Sequence, residues 1–187
     1  MKHNKVLVPL APGFEEIEAV TIIDVLRRAE IEVVVAGLGP GPARGAHDID
    51  IATDADLETL DPADFRMIVL PGGMPGATHL REHEGVQYFI RAITDHGGTA
   101  AAIGAAPIAL APSGITRERT VTSYPGFEDQ VPSAAYVDNR VVIDGPVITS
   151  RGPGTALEFA RALVERHGKA DQARELEKAM LVHRSEP

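Results

Sequence analysis

The stretch TAAAIGAAPIAL, Thr99 to Leu110, decides the fold. It reads as a short buried strand, a sharp turn at Gly104, and a helix beginning around Ala105. In an α/β protein, the turn from the carboxyl end of a strand into a helix is where ligands and catalytic groups collect. Here the turn residue is glycine, which carries no side chain for chemistry.

Outward from that turn, strands and helices alternate. Lys5 to Leu10 (KVLVPL) is a Val/Leu run typical of a strand buried on both faces. The turn Ala11-Pro12-Gly13 follows, then a helix over Glu15 to Ala29. Acids in its first turn and Arg27 and Arg28 in its last suit the helix dipole. Glu32 to Leu38 is a second strand, Gly39 to His47 a Gly/Pro-rich loop, and Asp50 to Ala52 a short edge strand. The acidic stretch to Asp64 is loop or one helical turn. Arg66 to Leu70 is a third central strand, ending in Pro71-Gly72-Gly73. Val86 to His96 is helix. Short strands are expected at Thr120–Ser123, Ala135–Val137, Val141–Ile143 and Val147–Ser150, with Asp144-Gly145 as a hairpin signal. Helices over Thr155 to His167 and Ala170 to Leu181 precede a polar tail from about 183. The alternation implies a mainly parallel sheet with helices on both faces, in one domain over residues 1–187.

Composition narrows the function. Of the 187 residues, 44% are hydrophobic, enough for a sizeable core of Val, Ile, Leu and Ala. The formal charge of -9 repels phosphates and anionic lipid, so neither nucleic acid nor a membrane surface is an expected partner. No apolar run is long enough to span a bilayer. The N-terminus runs directly into a strand without a secretory h-region, so a cytoplasmic location is expected. The chain has no cysteine, which excludes disulfides, thiolate metal sites and cysteine nucleophiles. Its seven histidines are scattered. His79 and His83 stand four apart without the rest of a zinc helix, so no metal is expected. No residue pattern calls for a cofactor.

Three local features can carry chemistry. Glu18 lies on the same helical stripe as Phe14, Ile22, Val25 and Ala29. A carboxyl buried there would have a raised pKa and could serve as acid or base near neutrality. The plainer alternative is a glutamate at the edge of the stripe that reaches solvent or caps the helix. Gly72-Gly73 after a strand can turn backbone N–H groups into a cleft to hold an oxyanion or carboxylate, or can be an ordinary turn. Ser150 to Thr155 (SRGPGT) can cradle an anion at a helix N-terminus, with Arg151 adding charge; Arg151 can equally hold structure through an ion pair.

Four motifs resemble the DJ-1/PfpI superfamily, specifically its small bacterial and animal branch. They are LAPGFEEIEAV (10–20), VLPGGMPGA (69–77), AAIGAAP (101–107) and ITSRGPGTALEFA (148–160). The likeness extends from about Lys5 to Val182. It implies a flavodoxin-like three-layer α/β sandwich, commonly a homodimer. It also implies a site between the Glu18 helix, the Pro71-Gly72-Gly73 turn and the Gly104 elbow. In the family, the residue matching Glu18 is the protonated partner of a reactive cysteine at the position of Gly104. Backbone N–H groups matching Gly73 and Ala105 form an oxyanion pocket, and many members carry histidine at the position of Tyr124. Family activities include glyoxalase or deglycase-type chemistry, isonitrile hydration, peptidase or amidase activity, and redox-stress protection. Gly104 and Tyr124 depart from that pattern, so covalent thiol catalysis and cysteine-oxidation sensing cannot operate here.

A glycine at such an elbow relieves backbone strain of ~1–3 kcal/mol. The missing side chain is expected to open space beside Glu18 for water or a larger substrate. Three functions then compete. One is an enzyme using Glu18 as acid/base, the Gly73 and Ala105 amides as oxyanion donors and Tyr124 as hydrogen-bond donor, on a small carbonyl compound. Another is a pocket that binds a small carbonyl or carboxylate ligand without turnover. The third is a cysteine-to-glycine mutant of a glyoxalase- or deglycase-type enzyme.

Overall fold

The computed structural model describes residues 4–182. The tail from about 183 lies outside the described residues. In chain order the elements are β1 (Lys5–Leu10), α1 (Glu16–Arg28), β2 (Val33–Gly37), β3 (Ala43–Arg44), β4 (Asp50–Ile51), β5 (Ala55–Asp56), β6 (Phe65–Leu70), α2 (Gly76–Glu82), α3 (Glu84–Asp95) and β7 (Thr99–Ile103). They continue with β8 (Thr120–Val121), β9 (Ala135–Tyr136), β10 (Val141–Asp144), β11 (Val147–Ser150), α4 (Ala156–Arg166) and α5 (Ala170–Ala179).

The main sheet has seven strands in the order β10-β11-β7-β6-β1-β2-β5. Only the β10–β11 hairpin is antiparallel, with Val141 opposite Ser150 and Asp144 opposite Val147. The other pairings are parallel. Alternate side chains of the central strands feed two separate cores. Val6, Val8, Leu10, Val69 and Ile103 pack with Ile22 and Leu26 of α1 and Phe159 and Leu163 of α4. Leu7, Ile68, Leu70, Ala100 and Ala102 pack with Leu80 of α2 and Phe89, Ile90 and Ile93 of α3. Burial on both faces explains why these strands read as continuous apolar runs. Each fully buried aliphatic or aromatic side chain contributes roughly 1.5–3 kcal/mol. The architecture is the expected flavodoxin-like sandwich.

Several local expectations change. The segment after Gly104 is a 3-10 helix, Ala106–Ser113, instead of an α-helix. Pro107 near its start and Pro112 inside it supply no N–H for an α-helical ladder. α2 went unread because Gly76 and the preceding Pro-Gly-Gly-Met-Pro run look like loop. Ala43–Arg44, read as loop, pairs antiparallel with Asp50–Ile51 in a separate ribbon, and the sheet edge is Ala55–Asp56. The strand expected at Thr120–Ser123 stops at Val121. α5 ends at Ala179, two residues before its expected end.

The chain runs from β1 to β2 on one side, then returns to place β6 on the other. The carboxyl ends of β1 and β6 therefore flank a topological switch point, the ordinary location of a ligand crevice.

Candidate functional site

Each wall of the crevice is a turn leaving the carboxyl end of a strand. After β1, the Ala11–Phe14 turn leads to Glu15, which caps α1 by accepting from the Ile17 N–H at 3.3 Å. Phe14 just before α1, Ile22 and Val25 within it and Ala29 at its end all face the core, and Glu18 goes with them. Its side chain is 1% exposed. The carboxyl oxygen Oε2 accepts the Gly72 N–H at 2.7 Å. Oε1 has no hydrogen-bond partner among the described residues, and Glu18 lines the cleft. Burial pushes the Glu18 pKa up to about 8; the Gly72 N–H pulls it down, and the Glu15 charge raises it further. The expectation of a buried acid holds, and the exposed-edge alternative does not.

Gly104 sits at φ +64°, the left-handed region that glycine occupies without strain. Its N–H donates to the Ser150 carbonyl, and its own carbonyl accepts the Tyr124 N–H at 2.8 Å. The position a side chain would take there is filled by the Glu18 carboxyl, and the open space lies in the cleft that both residues line. A Cβ on Gly104 would lie 2.5 Å from Glu18 Oε1 and 3.1 Å from Cδ. A Cβ on Gly72 would lie 2.6 Å from Glu18 Oε2, and one on Gly152 3.9 Å from Oε1. The Glu18 carboxyl thus occupies a slot with three glycine walls.

Gly73, at φ +91°, comes so close to the Phe14–Glu15 backbone that a Cβ would meet the Glu15 nitrogen at 2.3 Å. The N–H groups of Gly73 and Ala105 have no acceptor among the described residues, and both residues line the cleft with Glu18. The cleft has a volume of about 270 Å³ and is completed by Glu15, Met74, Gly104, Tyr124, Phe127 and Pro153. Tyr124 is half-exposed, its ring lies over Gly152, and its hydroxyl has no partner among the described residues. The structure therefore brings together Glu18, Gly72, Gly73, Gly104, Ala105 and Tyr124.

Arg151 is placed differently. Its guanidinium pairs with Asp138, and it is not among the cleft-lining residues. The SRGPGT loop also uses its donors internally: the Gly152 N–H goes to Thr155 Oγ1 at 3.1 Å, and the Ser150 and Thr155 hydroxyls lie 2.6 Å apart.

Sequence reading missed the contribution of Glu15, Met74, Phe127 and Pro153 to the cleft. Glu15, Met74 and Pro153 lie inside the quoted motifs, but nothing in their residue type pointed to a wall. It also missed the environment of His47. The ribbon carries His47 to the start of α1, where its Nδ1 lies 2.8 Å from Glu16 Oε2 and 3.7 Å from Glu15 Oε2. These three residues place potential ligand atoms within 4.8 Å of one another. The hydrogen bonds to Glu16 account for the arrangement.

Comparison with known proteins finds the same fold. The DJ-1/PfpI family model matches residues 4–166. Protein dj-1beta of Drosophila melanogaster is 43% identical over 179 residues, covering 94% of this chain and 96% of that protein. The crystal structure of Drosophila melanogaster DJ-1beta superposes with a TM-score of 0.92 at 41% identity, covering 98% of this chain and 100% of that one. The glutathione-independent glyoxalase DJR-1.2 of Caenorhabditis elegans is 37% identical over 166 residues, covering 87% and 88% of the two chains. With the family model matched over residues 4–166 and relatives 37–43% identical over most of both chains, this chain belongs to the DJ-1/PfpI family.

Proposed function

We propose that the cleft is the active site of a cofactor-independent enzyme that moves a proton on a small carbonyl compound, with Glu18 as acid/base. The observation that carries this reading is the unpartnered Oε1 of a nearly fully buried carboxyl, facing a cleft with two unpartnered backbone N–H groups. A pKa of about 8 leaves Glu18 mostly protonated at neutral pH, with roughly a tenth ionised at pH 7. Both forms are then available, the condition for efficient proton transfer. The Gly73 and Ala105 amides suit a carbonyl oxygen that gains negative charge as the ionised Glu18 removes a neighbouring C–H proton. The protonated acid then returns that proton to carbon or oxygen. The Tyr124 hydroxyl supplies a further donor at the cleft mouth. Without cysteine, no step passes through a thiol adduct. The glyoxalase name of the nematode relative supports small oxoaldehydes as the first compounds to try.

The test is solvent-deuterium incorporation into methylglyoxal and related carbonyls, followed by NMR. Enzyme-dependent incorporation that rises with pH toward about 8, and falls at least tenfold in Glu18→Gln, is expected. Binding of the same compounds without exchange or turnover overturns catalysis and leaves a ligand-binding protein.

A homodimer belongs to the same proposal. Ile17 and Val20 are exposed on one face of α1, and Ile49 is exposed on the adjoining ribbon, its N–H 3.5 Å from Glu16 Oε1. Three large apolar side chains around the Glu16–His47 contact suit a second copy of this chain. The described residues contain no helix long and apolar enough to cross a membrane.

A further inference from the structure

The chain's only sulfur chemistry is that of methionine, because it has no cysteine. Among the described residues there are three methionines in very different surroundings. Met67 is 1% exposed in the sheet core, and Met180 is partly buried against the α1–α4 core. Met74 is 48% exposed and lines the cleft, one residue after the unpartnered Gly73 N–H. The Thr78 hydroxyl stands 4.0 Å from its sulfur.

We propose that Met74 is a peroxide-sensitive modification site that controls the mouth of the cleft. A thioether needs no deprotonation to react, so exposure governs its reactivity. A sulfur lone pair attacks one oxygen of a hydroperoxide. The O–O bond breaks, that oxygen stays on sulfur as the sulfoxide, and the other leaves as water or alcohol after taking up a proton. Sulfur is oxidised by two electrons and the peroxide is reduced by two. A methionine sulfoxide reductase reverses the change.

The product differs from the thioether in the property that matters at this position. A thioether sulfur is a weak acceptor, whereas a sulfoxide oxygen is a strong one. The Thr78 hydroxyl already faces the sulfur and gains a better partner. The cleft mouth, apolar where Met74 stands with Phe127 and Pro153, acquires a polar group beside Gly73. A ligand that packs an apolar part against Met74 loses that contact. The consequence for ligands rests on the cleft being the working site; the oxidation and its effect on the neighbouring backbone do not.

The test treats the whole protein with hydrogen peroxide and follows each methionine by peptide mass mapping. Amide NMR signals of Gly73 and Ala105 are recorded before and after. Met74 is expected to gain one oxygen at least about tenfold faster than Met67, with Met180 between them. The Gly73 signal is expected to shift in step with Met74 oxidation, to return after reductase treatment, and to stay unmoved by peroxide in Met74→Leu. Equal oxidation of Met74 and Met67 overturns the proposal. So does rapid oxidation of Met74 with no change at Gly73, or an equal peroxide-induced shift in Met74→Leu. None of these outcomes depends on turnover of a carbonyl compound.

Discussion

Glu16 and Glu18 occupy the first turn of the same helix, and both side chains are largely hidden from solvent. Glu16 faces the β3–β4 ribbon. It accepts the His47 N–H at 2.6 Å, lies 2.8 Å from His47 Nδ1, and is approached by the Ile49 N–H. Burial raises its pKa, but these hydrogen bonds together bring it below the ordinary carboxylate value. Glu18 faces the elbow, has one N–H donor, and is raised to about 8 by burial. Burial raises both acids; at Glu16 the donors aimed at the carboxylate outweigh it, whereas at Glu18 the deeper burial prevails over a single donor. One acid is committed to the anion and fastens a ribbon. The other keeps a movable proton.

The largest consequence is the dependence of stability on pH that Glu18 contributes. Its folded pKa lies above its unfolded value, so the native state binds more protons and stability falls as pH rises from about 4.5 to about 8. The full contribution is at most on the order of 5 kcal/mol, from about 1.4 kcal/mol per pKa unit. Glu18→Gln keeps the shape and an acceptor for the Gly72 N–H but cannot ionise. Urea unfolding at pH 5 and pH 8 should show the variant gaining on the wild type by several kcal/mol at the higher pH. A difference that stays constant between the two pH values would mean that Glu18 is not held neutral.

The next effect comes from the wall opposite Glu18. Gly104→Ala adds a Cβ 2.5 Å from Oε1 and puts a non-glycine residue at φ +64°. Strain and the displaced carboxyl together should lower stability by roughly 2–4 kcal/mol. Gly104→Cys should suffer similarly, and restoring the thiol alone should not restore thiol catalysis, because the acid sits where the new side chain must go. Combining Gly104→Cys with Glu18→Asp, which withdraws the carboxyl by one methylene, should recover part of the lost stability. Chemical denaturation of the four proteins checks the coupling. Additive losses would show that the slot is looser than the distances imply.

How legible this was in the sequence follows from the range of the interactions. The central strands and α1 were readable because their buried faces repeat within a few residues. Glu18 was legible for the same reason, standing on the stripe of Phe14, Ile22 and Val25. The turn glycines are legible as turns, and Gly72-Gly73 as a place where backbone N–H groups can face a cleft; only the match of Gly104 to the family's cysteine position depends on the resemblance. The Glu18 slot could not be read, since it depends on where Gly72, Gly104 and Gly152, from three different strand ends, meet one carboxyl. The His47–Glu16 pairing spans 31 residues and leaves no local pattern. For Arg151 the sequence leaves ligand contact and a structural ion pair equally open, and the partner that decides for the ion pair, Asp138, lies thirteen residues earlier.

The smallest effect tests the other acid. His47 is raised above its ordinary pKa, first by the hydrogen bond to Glu16 and then by the charge of Glu15. Its contribution is present below about pH 6.5 and is lost as pH rises through the raised folded value. Glu16 has the opposite sign: its contribution is present above about pH 4.5 and is lost as pH falls through the lowered folded value. The Glu16–His47 contact is therefore strongest from about pH 4.5 to about 6.5 and weakens as pH rises beyond that, with Asp48 adding its charge on the ribbon side. His47→Gln should lower the melting temperature by a few degrees within that window and by less above it. Because the same ribbon carries Ile49, sedimentation of the wild type should give a dimer of the 19.9 kDa chain, and the variant should dissociate at lower dilution. A wild type that sediments as a monomer at micromolar concentration would remove the apolar face from the argument. An unchanged melting curve would reduce the Glu16 contact to the two backbone N–H donors that remain.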